Sequence, residues 1–116
     1  MQLQPEILSE EQQGSRLHLQ LRVPSALEHF NGHFPGLPIL PGVVQLDWAI
    51  RIATRHYAIE PPFSALENLK FQAPVRPDLE LSLELDWDAN RGRLEFLYRA
   101  GARKYSSGRI RFGAQQ

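Results

Sequence analysis

The sequence predicts an α+β domain in which one antiparallel sheet wraps around a single long helix. Three observations lead to this prediction. One strand-like segment precedes a long apolar segment without internal Gly or Pro, and four strand-like segments follow it. The 116 residues fit one domain spanning 1–116. A domain of this size exposes proportionally more surface than a larger one, so a dimer would help to stabilise it.

The first strand follows a polar N-terminal stretch. Residues 1–14 are rich in Gln and Glu, and we expect them to form a flexible terminus without a strand or helix. From Arg16 to Val23 polar and apolar residues alternate, which is the period of a half-buried strand, and Pro24 ends it. A loop then continues to Pro41.

The helix spans Gly42 to Tyr57 and ends before Pro61-Pro62. Apolar side chains recur on it at spacings of three and four residues, at Leu46, Ala49, Ile50, Ala53 and Tyr57. Further apolar residues widen this stripe almost all round: Val43, Val44, Trp48 and Ile52. We therefore expect other structure to wrap the helix.

Four strands complete the domain, at 63–73, 79–87, 93–100 and 104–112, and we expect them to form a meander. Residues 88–92 make a hairpin loop, because Asn and Gly tolerate positive φ. One antiparallel sheet around one central helix is the hotdog arrangement, which is the fold that the pattern predicts.

Composition excludes several functions. Thirteen basic residues balance thirteen acidic ones, which argues against a nucleic-acid binder. Without cysteine there is no disulfide, thiolate nucleophile or Cys-based zinc site. No signal peptide or bilayer-spanning segment is visible, so we expect a soluble, cytoplasmic protein with no membrane partner. Residues 91–111 are basic, which indicates either the solvent face of two strands or a surface that docks an acidic partner.

The start of the helix has the features of a donor site. Pro41 fixes φ before the helix, and Gly42 allows another group to approach the backbone closely. The first N–H groups of a helix have no intrahelical partner, and this end is electropositive. The turn therefore suits a carbonyl oxygen or an anion, although an ordinary helix start has the same pattern.

Two titratable residues accompany this turn. His33 lies in a stiff loop a few residues upstream, and Asp47 lies on the helix with mainly apolar helical neighbours. A carboxyl in such a setting near a histidine is a candidate acid–base pair. An i,i+4 ion pair between Asp47 and Arg51 is an equally good interpretation.

Residues 32–47, GHFPGLPILPGVVQLD, closely resemble the signature of the β-hydroxyacyl-acyl carrier protein dehydratases of the FabA/FabZ type. The resemblance is strongest to the short ApeI-like dehydratases of aryl-polyene and related pathways. The signature residues match without gaps at Gly32, His33, Phe34, Pro35, Gly36, Pro38, Pro41, Gly42 and Asp47. Residues 70–78, KFQAPVRPD, resemble the strand and turn that follow the central helix in that family.

The resemblance implies roles for three residues. His33 is similar to the catalytic histidine of the family, Asp47 to its catalytic carboxylate, and the Gly42 N–H to the donor that polarises the thioester carbonyl. In the family the two side chains meet across a dimer interface. The resemblance therefore implies a homodimer, or a heterodimer with a related hotdog protein.

The implied reaction is dehydration of a (3R)-3-hydroxyacyl-acyl carrier protein to the trans-2-enoyl product, in fatty-acid-like, aryl-polyene or polyketide-type biosynthesis. Histidine is well suited to remove the C2 proton, and a carboxyl in apolar surroundings can protonate the departing oxygen. No metal or organic cofactor is implied, because the phosphopantetheine of the acyl carrier protein delivers the substrate. One departure is Arg51, where the family often has Gln. An ion pair there suits an acid poorly, so we expect either that Arg51 points away or that Asp47 orients a water or hydroxyl.

Two further sets of residues are candidates for substrate and partner binding. The acyl tunnel, or alternatively the core, would contain Phe30, Phe34, Leu37 and Trp48. The acidic carrier protein would dock on Arg51, Arg55, Lys70, Arg76, Arg99, Arg103 and Lys104.

Two other functions remain open. A hotdog thioesterase would use Asp47 to activate water and would not need His33. A non-catalytic hotdog subunit would bind acyl chains or support a partner enzyme, and it would need neither residue. The presence of both His33 and Asp47 favours the dehydratase.

Overall fold

The computed structural model describes residues 4–25, 39–60 and 62–113. These residues form one helix and six strands, in the order β1 (Glu6–Gln13), β2 (Arg16–Arg22), α1 (Gly42–Tyr57), β3 (Phe63–Phe71), β4 (Glu80–Asp88), β5 (Arg93–Ala100) and β6 (Arg103–Phe112). The strands make a single antiparallel sheet with the order β1-β2-β4-β5-β6-β3. A sheet of this kind with one long helix confirms the predicted α+β hotdog class. In the described part of the chain, no helix combines the length and apolar character needed to cross a membrane.

The core lies between α1 and the inner face of the sheet. Alternate leucines on β2 stand opposite alternate leucines on β4, in the pairs Leu17–Leu85, Leu19–Leu83 and Leu21–Leu81. All six are buried, as the two-residue period of the sequence predicts. From the helix, Trp48, Ala49, Ile52 and Ala53 enter the same core. This packing fixes the position of α1 against the sheet.

The absence of a strand before residue 15 is a wrong prediction. Glu6–Gln13 forms β1, which pairs with β2 along its length and includes one bulge. Every residue of β1 is exposed, so its sequence lacks the alternation that a half-buried strand requires. Main-chain pairing at the sheet edge, rather than burial, gives this segment its structure.

The predicted meander of four strands is also wrong in one respect. Strands β4, β5 and β6 follow each other in the sheet, but β3 pairs with β6 and not with β4. The connection from β3 to β4 contains Pro74 and Pro77 and does not form a tight hairpin. It crosses the end of the sheet, where the Leu40 N–H donates to the Val75 carbonyl at 2.7 Å. This crossing places residues 72–76 beside the start of α1.

The helix buries one face in the described part of the chain. Its inner face is buried, whereas Val43, Asp47, Arg51 and Arg55 recur every fourth residue on an exposed stripe. Val43 is 72% exposed, although it is a large apolar side chain. The described residues cover the inner face of the helix and leave this stripe uncovered, and a cover for the stripe stays a prediction.

Candidate active site

The start of α1 presents two backbone donors. Pro41 precedes the helix with φ −59° and ψ 146°, and no side chain caps this end. The N–H groups of Val44 and Gln45 donate to the Pro41 carbonyl at 3.0 and 3.2 Å. Among the residues that the structure describes, no acceptor is bonded to the N–H of Gly42 or Val43. These two donors lie at the electropositive end of the helix, as the sequence predicts.

An open cleft of about 560 Å³ adjoins these donors. Its walls come from two segments, the start of α1 with the residues just before it, and the end of β3 with the first residues of the connection to β4. The lining residues are Ile39, Leu40, Pro41, Gly42, Val43, Gln45, Phe71, Gln72, Ala73 and Pro74. Phe71 lies directly over Gly42, because a Cβ atom at Gly42 would stand 2.5 Å from Phe71 Cε1. Glycine is thus the residue that permits this close approach. Phe71 belongs to the second sequence motif, but its proximity to Gly42 gave no signal in the sequence.

Asp47 forms the i,i+4 ion pair with Arg51, which was one of the two interpretations of this residue from the sequence. Arg51 Nε donates to Asp47 Oδ2 at 2.8 Å, and the two side chains are 61% and 50% exposed. Asp47 does not line the cleft. Asp47 follows Gly42 by five residues, and five residues of α-helix correspond to a net rotation of about 140° around the helix axis. Asp47 and Gly42 therefore face different sides of the helix. A role of Asp47 in catalysis stays a prediction.

Several predicted site residues cannot be placed at the cleft. His33, Phe30, Phe34 and Leu37 lie outside the described residues. Trp48 is 1% exposed and belongs to the core cluster. Its position agrees with the core interpretation, and its role in an acyl tunnel stays a prediction.

A buried polar network at the helix start escaped the sequence analysis. The Gln45 side chain donates from Nε2 to the Leu40 carbonyl at 3.2 Å and accepts at Oε1 from Ser106 Oγ at 2.7 Å. The Tyr98 hydroxyl donates to the Gln45 carbonyl at 2.6 Å. Burial, with a smaller contribution from Asp47, raises the pKa of Tyr98 well above its ordinary value. A glutamine among apolar helix residues was the available signal.

The predicted docking residues fall into two groups. Arg51 pairs with Asp47, Arg99 with Glu84, and the Arg103 guanidinium stacks over the ring of Tyr105. Within the described ranges, no carboxylate pairs with the remaining four: Arg55, Lys70, Arg76 and Lys104.

Three of these cations are sequence neighbours of residues at or near the cleft, although none of the three lines it, and Lys70 lines a separate depression on the sheet. Lys70 precedes Phe71, which lies over Gly42. Arg76 follows Val75, which is bonded to Leu40. Lys104 precedes Tyr105, whose carbonyl accepts from the cleft residues Gln72 and Ala73.

Other arginines of the basic run are neutralised on the sheet. Arg109 pairs with Glu95 and Glu67, and Arg111 also pairs with Glu67. These pairs raise the pKa of Arg109 and lower the pKa of Glu67, chiefly through their side-chain hydrogen bonds. Much of the run is therefore a charge-balanced face of the sheet, in line with the solvent-face interpretation.

Comparison with known proteins identifies similar chains. The ApeI-like family model, described as ApeI dehydratase, matches residues 9–109. The 3-hydroxyacyl-acyl-carrier-protein dehydratase FabZ of Erythrobacter litoralis is 37% identical over 91 residues, which cover 70% of this chain and 60% of the relative. The chain likewise spans 56% of the length of the FabZ of Novosphingobium aromaticivorans, at 35% identity over 89 residues and 68% of this chain.

Solved structures show the same architecture. The ApeI:P dehydratase heterocomplex from Xenorhabdus doucetiae contains a chain with a TM-score of 0.89 and 35% identity, and the match covers 96% of this chain and 99% of that one. The dehydratase domain of the polyketide PpsC from Mycobacterium tuberculosis has a TM-score of 0.68 at 19% identity, covering 98% of this chain and 45% of that one. The second likeness shows the fold alone.

Proposed function

Because the chain belongs to the ApeI-like dehydratase family, we propose that it dehydrates (3R)-3-hydroxyacyl-acyl carrier proteins to trans-2-enoyl thioesters. The observation that carries this proposal is the helix start, where the N–H groups of Gly42 and Val43 adjoin the cleft. The relatives that are named as 3-hydroxyacyl-acyl-carrier-protein dehydratases support the substrate class. We place the reaction in fatty-acid-like, aryl-polyene or polyketide-type biosynthesis, in the cytoplasm.

In the proposed reaction the thioester carbonyl oxygen accepts a hydrogen bond from the Gly42 N–H. This bond stabilises the enolate-like charge that forms when His33 removes the C2 proton. The electron pair then makes the C2–C3 double bond while the C3–O bond breaks. The leaving hydroxyl takes a proton and departs as water, so the reaction needs neither a metal nor an organic cofactor.

The ion pair with Arg51 supports an orienting role for Asp47. Arg51 contacts the carboxylate in the structure, so the alternative in which Arg51 points away has no support. The carboxylate accepts from Arg51 through Oδ2, and a carboxylate has further acceptor sites for a hydroxyl group. We therefore assign to Asp47 the orientation of the C3 hydroxyl, and to protonated His33 the return of the proton to that oxygen.

A second hotdog chain completes the proposed site, with His33 of one subunit facing Asp47 of the other. Strand β3 is an edge of the sheet and carries four exposed large apolar residues: Phe63, Leu66, Leu69 and Phe71. An exposed, apolar edge strand is a ready surface for pairing with another chain. The opposite edge, β1, carries only two exposed large apolar residues, Ile7 and Leu8, together with Glu6, Glu10 and Glu11. We propose that β3 forms the dimer interface, with a second copy or with a related hotdog protein, as the heterocomplex from Xenorhabdus doucetiae suggests.

The acyl carrier protein is the proposed macromolecular partner. Within the described ranges, Lys70, Arg76 and Lys104 have no carboxylate partner, and each is next in sequence to a residue at or near the cleft, so we propose that they bind an acidic protein that delivers a substrate there. Arg99 is a weaker candidate, because Glu84 already neutralises it.

Thioester hydrolysis is the second candidate function, and the solvent-exposed Asp47 carboxylate favours it, since such a group can activate water. Incubation with a 3-hydroxyacyl carrier protein, followed by mass spectrometry of the acyl group, separates the two. Loss of one water from the carrier-bound acyl group is the expected result, and it should be absent in His33→Ala. Release of free acid by both proteins would instead establish the thioesterase.

A further inference from the structure

Gln45 occupies a position in the first turns of α1 that faces the core. It is 3% exposed, and both polar groups of its side chain are hydrogen-bonded. A buried amide destabilises a fold unless such bonds are made, and apolar residues fill most of the inner helix face. The groups that Gln45 joins therefore indicate its function.

The Gln45 amide joins three segments around the cleft. Its Nε2 holds the carbonyl of Leu40, two residues before Gly42, and its Oε1 holds Ser106 on β6. Tyr98 on β5 adds a bond to the Gln45 carbonyl. The chain at Leu40–Pro41 thus has a fixed position although no side chain caps the helix.

The direction of the Gly42 N–H depends on how the chain just before the helix is held. A hydrogen bond weakens steeply when its N–H points away from the acceptor, and a preorganised donor stabilises developing charge without reorganising. Without the amide, the Leu40 carbonyl has no side-chain tether, and the Leu40-Pro41 peptide that leads into the helix can move, together with the Pro41 carbonyl that receives the first helical N–H groups. Freedom of that peptide would misdirect the Gly42 N–H.

We propose that Gln45, supported by Ser106, is a positioning residue that directs the Gly42 N–H into the cleft. The role of this N–H in polarising a thioester carbonyl rests on the proposed function. The positioning of the N–H by Gln45 does not rest on it. Gln45 borders the cleft, but its effect on the reaction passes through the Gly42 N–H.

The test compares two bonds of the same kind. Gln45→Met removes both side-chain bonds of the amide, and Ser106→Ala removes the bond that holds Gln45 Oε1 and so leaves the amide less firmly placed against the Leu40 carbonyl. Gln20→Met and Ser82→Ala are matched controls, because Ser82 Oγ donates to Gln20 Oε1 at 3.0 Å on strands β4 and β2. We expect kcat for a 3-hydroxyacyl thioester to fall about tenfold in the first pair with KM changed less than about twofold, and both constants to stay within about twofold in the controls.

A second readout follows the Gly42 amide in a ¹H–¹⁵N correlation spectrum. Its resonance should shift, and its hydrogen exchange accelerate, in Gln45→Met and Ser106→Ala but not in the controls. An unmoved resonance, or a kcat like that of the controls, would overturn the inference. If Gln45→Met does not fold, the smaller change Ser106→Ala decides. If the wild-type protein dehydrates no thioester, the proposed function fails, and the Gly42 resonance alone decides the positioning role.

Discussion

Replacing Asp47 with Asn should separate catalysis from stability. The carboxylate is half exposed, and its recognised partner is Arg51 at 2.8 Å in an i,i+4 arrangement. Exposed pairs of this type contribute about 0.3–0.5 kcal/mol, because solvent and salt screen them. For a domain of this size we expect the melting temperature to fall by less than about 4 °C.

The catalytic effect should be far larger. If the charged carboxylate orients the C3 hydroxyl, its neutralisation should lower kcat about a hundredfold or more, the loss typical of a preorganised polar group. That factor corresponds to about 2.7 kcal/mol of transition-state stabilisation. The loss of activity would then exceed the loss of stability at least fivefold in free energy.

Arg51→Met provides the matched control, since it breaks the same ion pair but keeps the carboxylate. The assays are thermal unfolding and steady-state turnover of one 3-hydroxyacyl thioester by the wild type and both variants. We expect similar melting temperatures for the two variants, and less than about a fivefold change in kcat for Arg51→Met. Equal losses of turnover in both variants would show that the ion pair, and not the carboxylate, matters, and would refute the role assigned to Asp47.

Two other predictions follow from the charges and the buried hydroxyl. Replacing Lys70 and Arg76 together by Glu should slow turnover of a carrier-bound substrate several-fold at low salt, and it should leave turnover of a small thioester nearly unaffected. The control Arg91→Glu, on the hairpin loop, should change neither rate. Equal effects on both substrates would exclude a docking role. Burial raises the pKa of Tyr98 above 10.0, so above that pH the unfolded state releases a proton that the folded state retains, and stability should fall as pH rises. In Tyr98→Phe, chemical unfolding should show about 1 kcal/mol less stability at neutral pH and a flatter decline above pH 10; an unchanged decline would contradict this assignment.

The sequence predicts what depends on local pattern. Leucine alternation on β2 and β4 and the absence of breakers between Gly42 and Tyr57 reflect burial and backbone freedom, and the structure matches them closely. Strand β1 was missed because an exposed strand has no periodic signal. The pairing of β3 with β6 was missed because alternation does not indicate which strand is the neighbour.

The candidate site follows the same division. Pro41-Gly42 predicts free N–H donors at the helix start from local rules, and in the described ranges the N–H groups of Gly42 and Val43 have no acceptor. The contact of Phe71 with Gly42 and the bond from Ser106 to Gln45 join residues far apart in the chain. Such contacts depend on the sheet order, which the pattern leaves undetermined.

The most direct test of the proposed site is complementation between two inactive chains. A His33→Ala chain and an Asp47→Asn chain, each with its own affinity tag, are expressed together, and the mixed dimer is purified through both tags. If each site takes His33 from one subunit and Asp47 from the other, one of the two sites in the mixed dimer is intact. The account predicts about half of the wild-type turnover per dimer, with each variant homodimer inactive. A confirmed mixed dimer as inactive as the two homodimers would contradict a site shared between subunits.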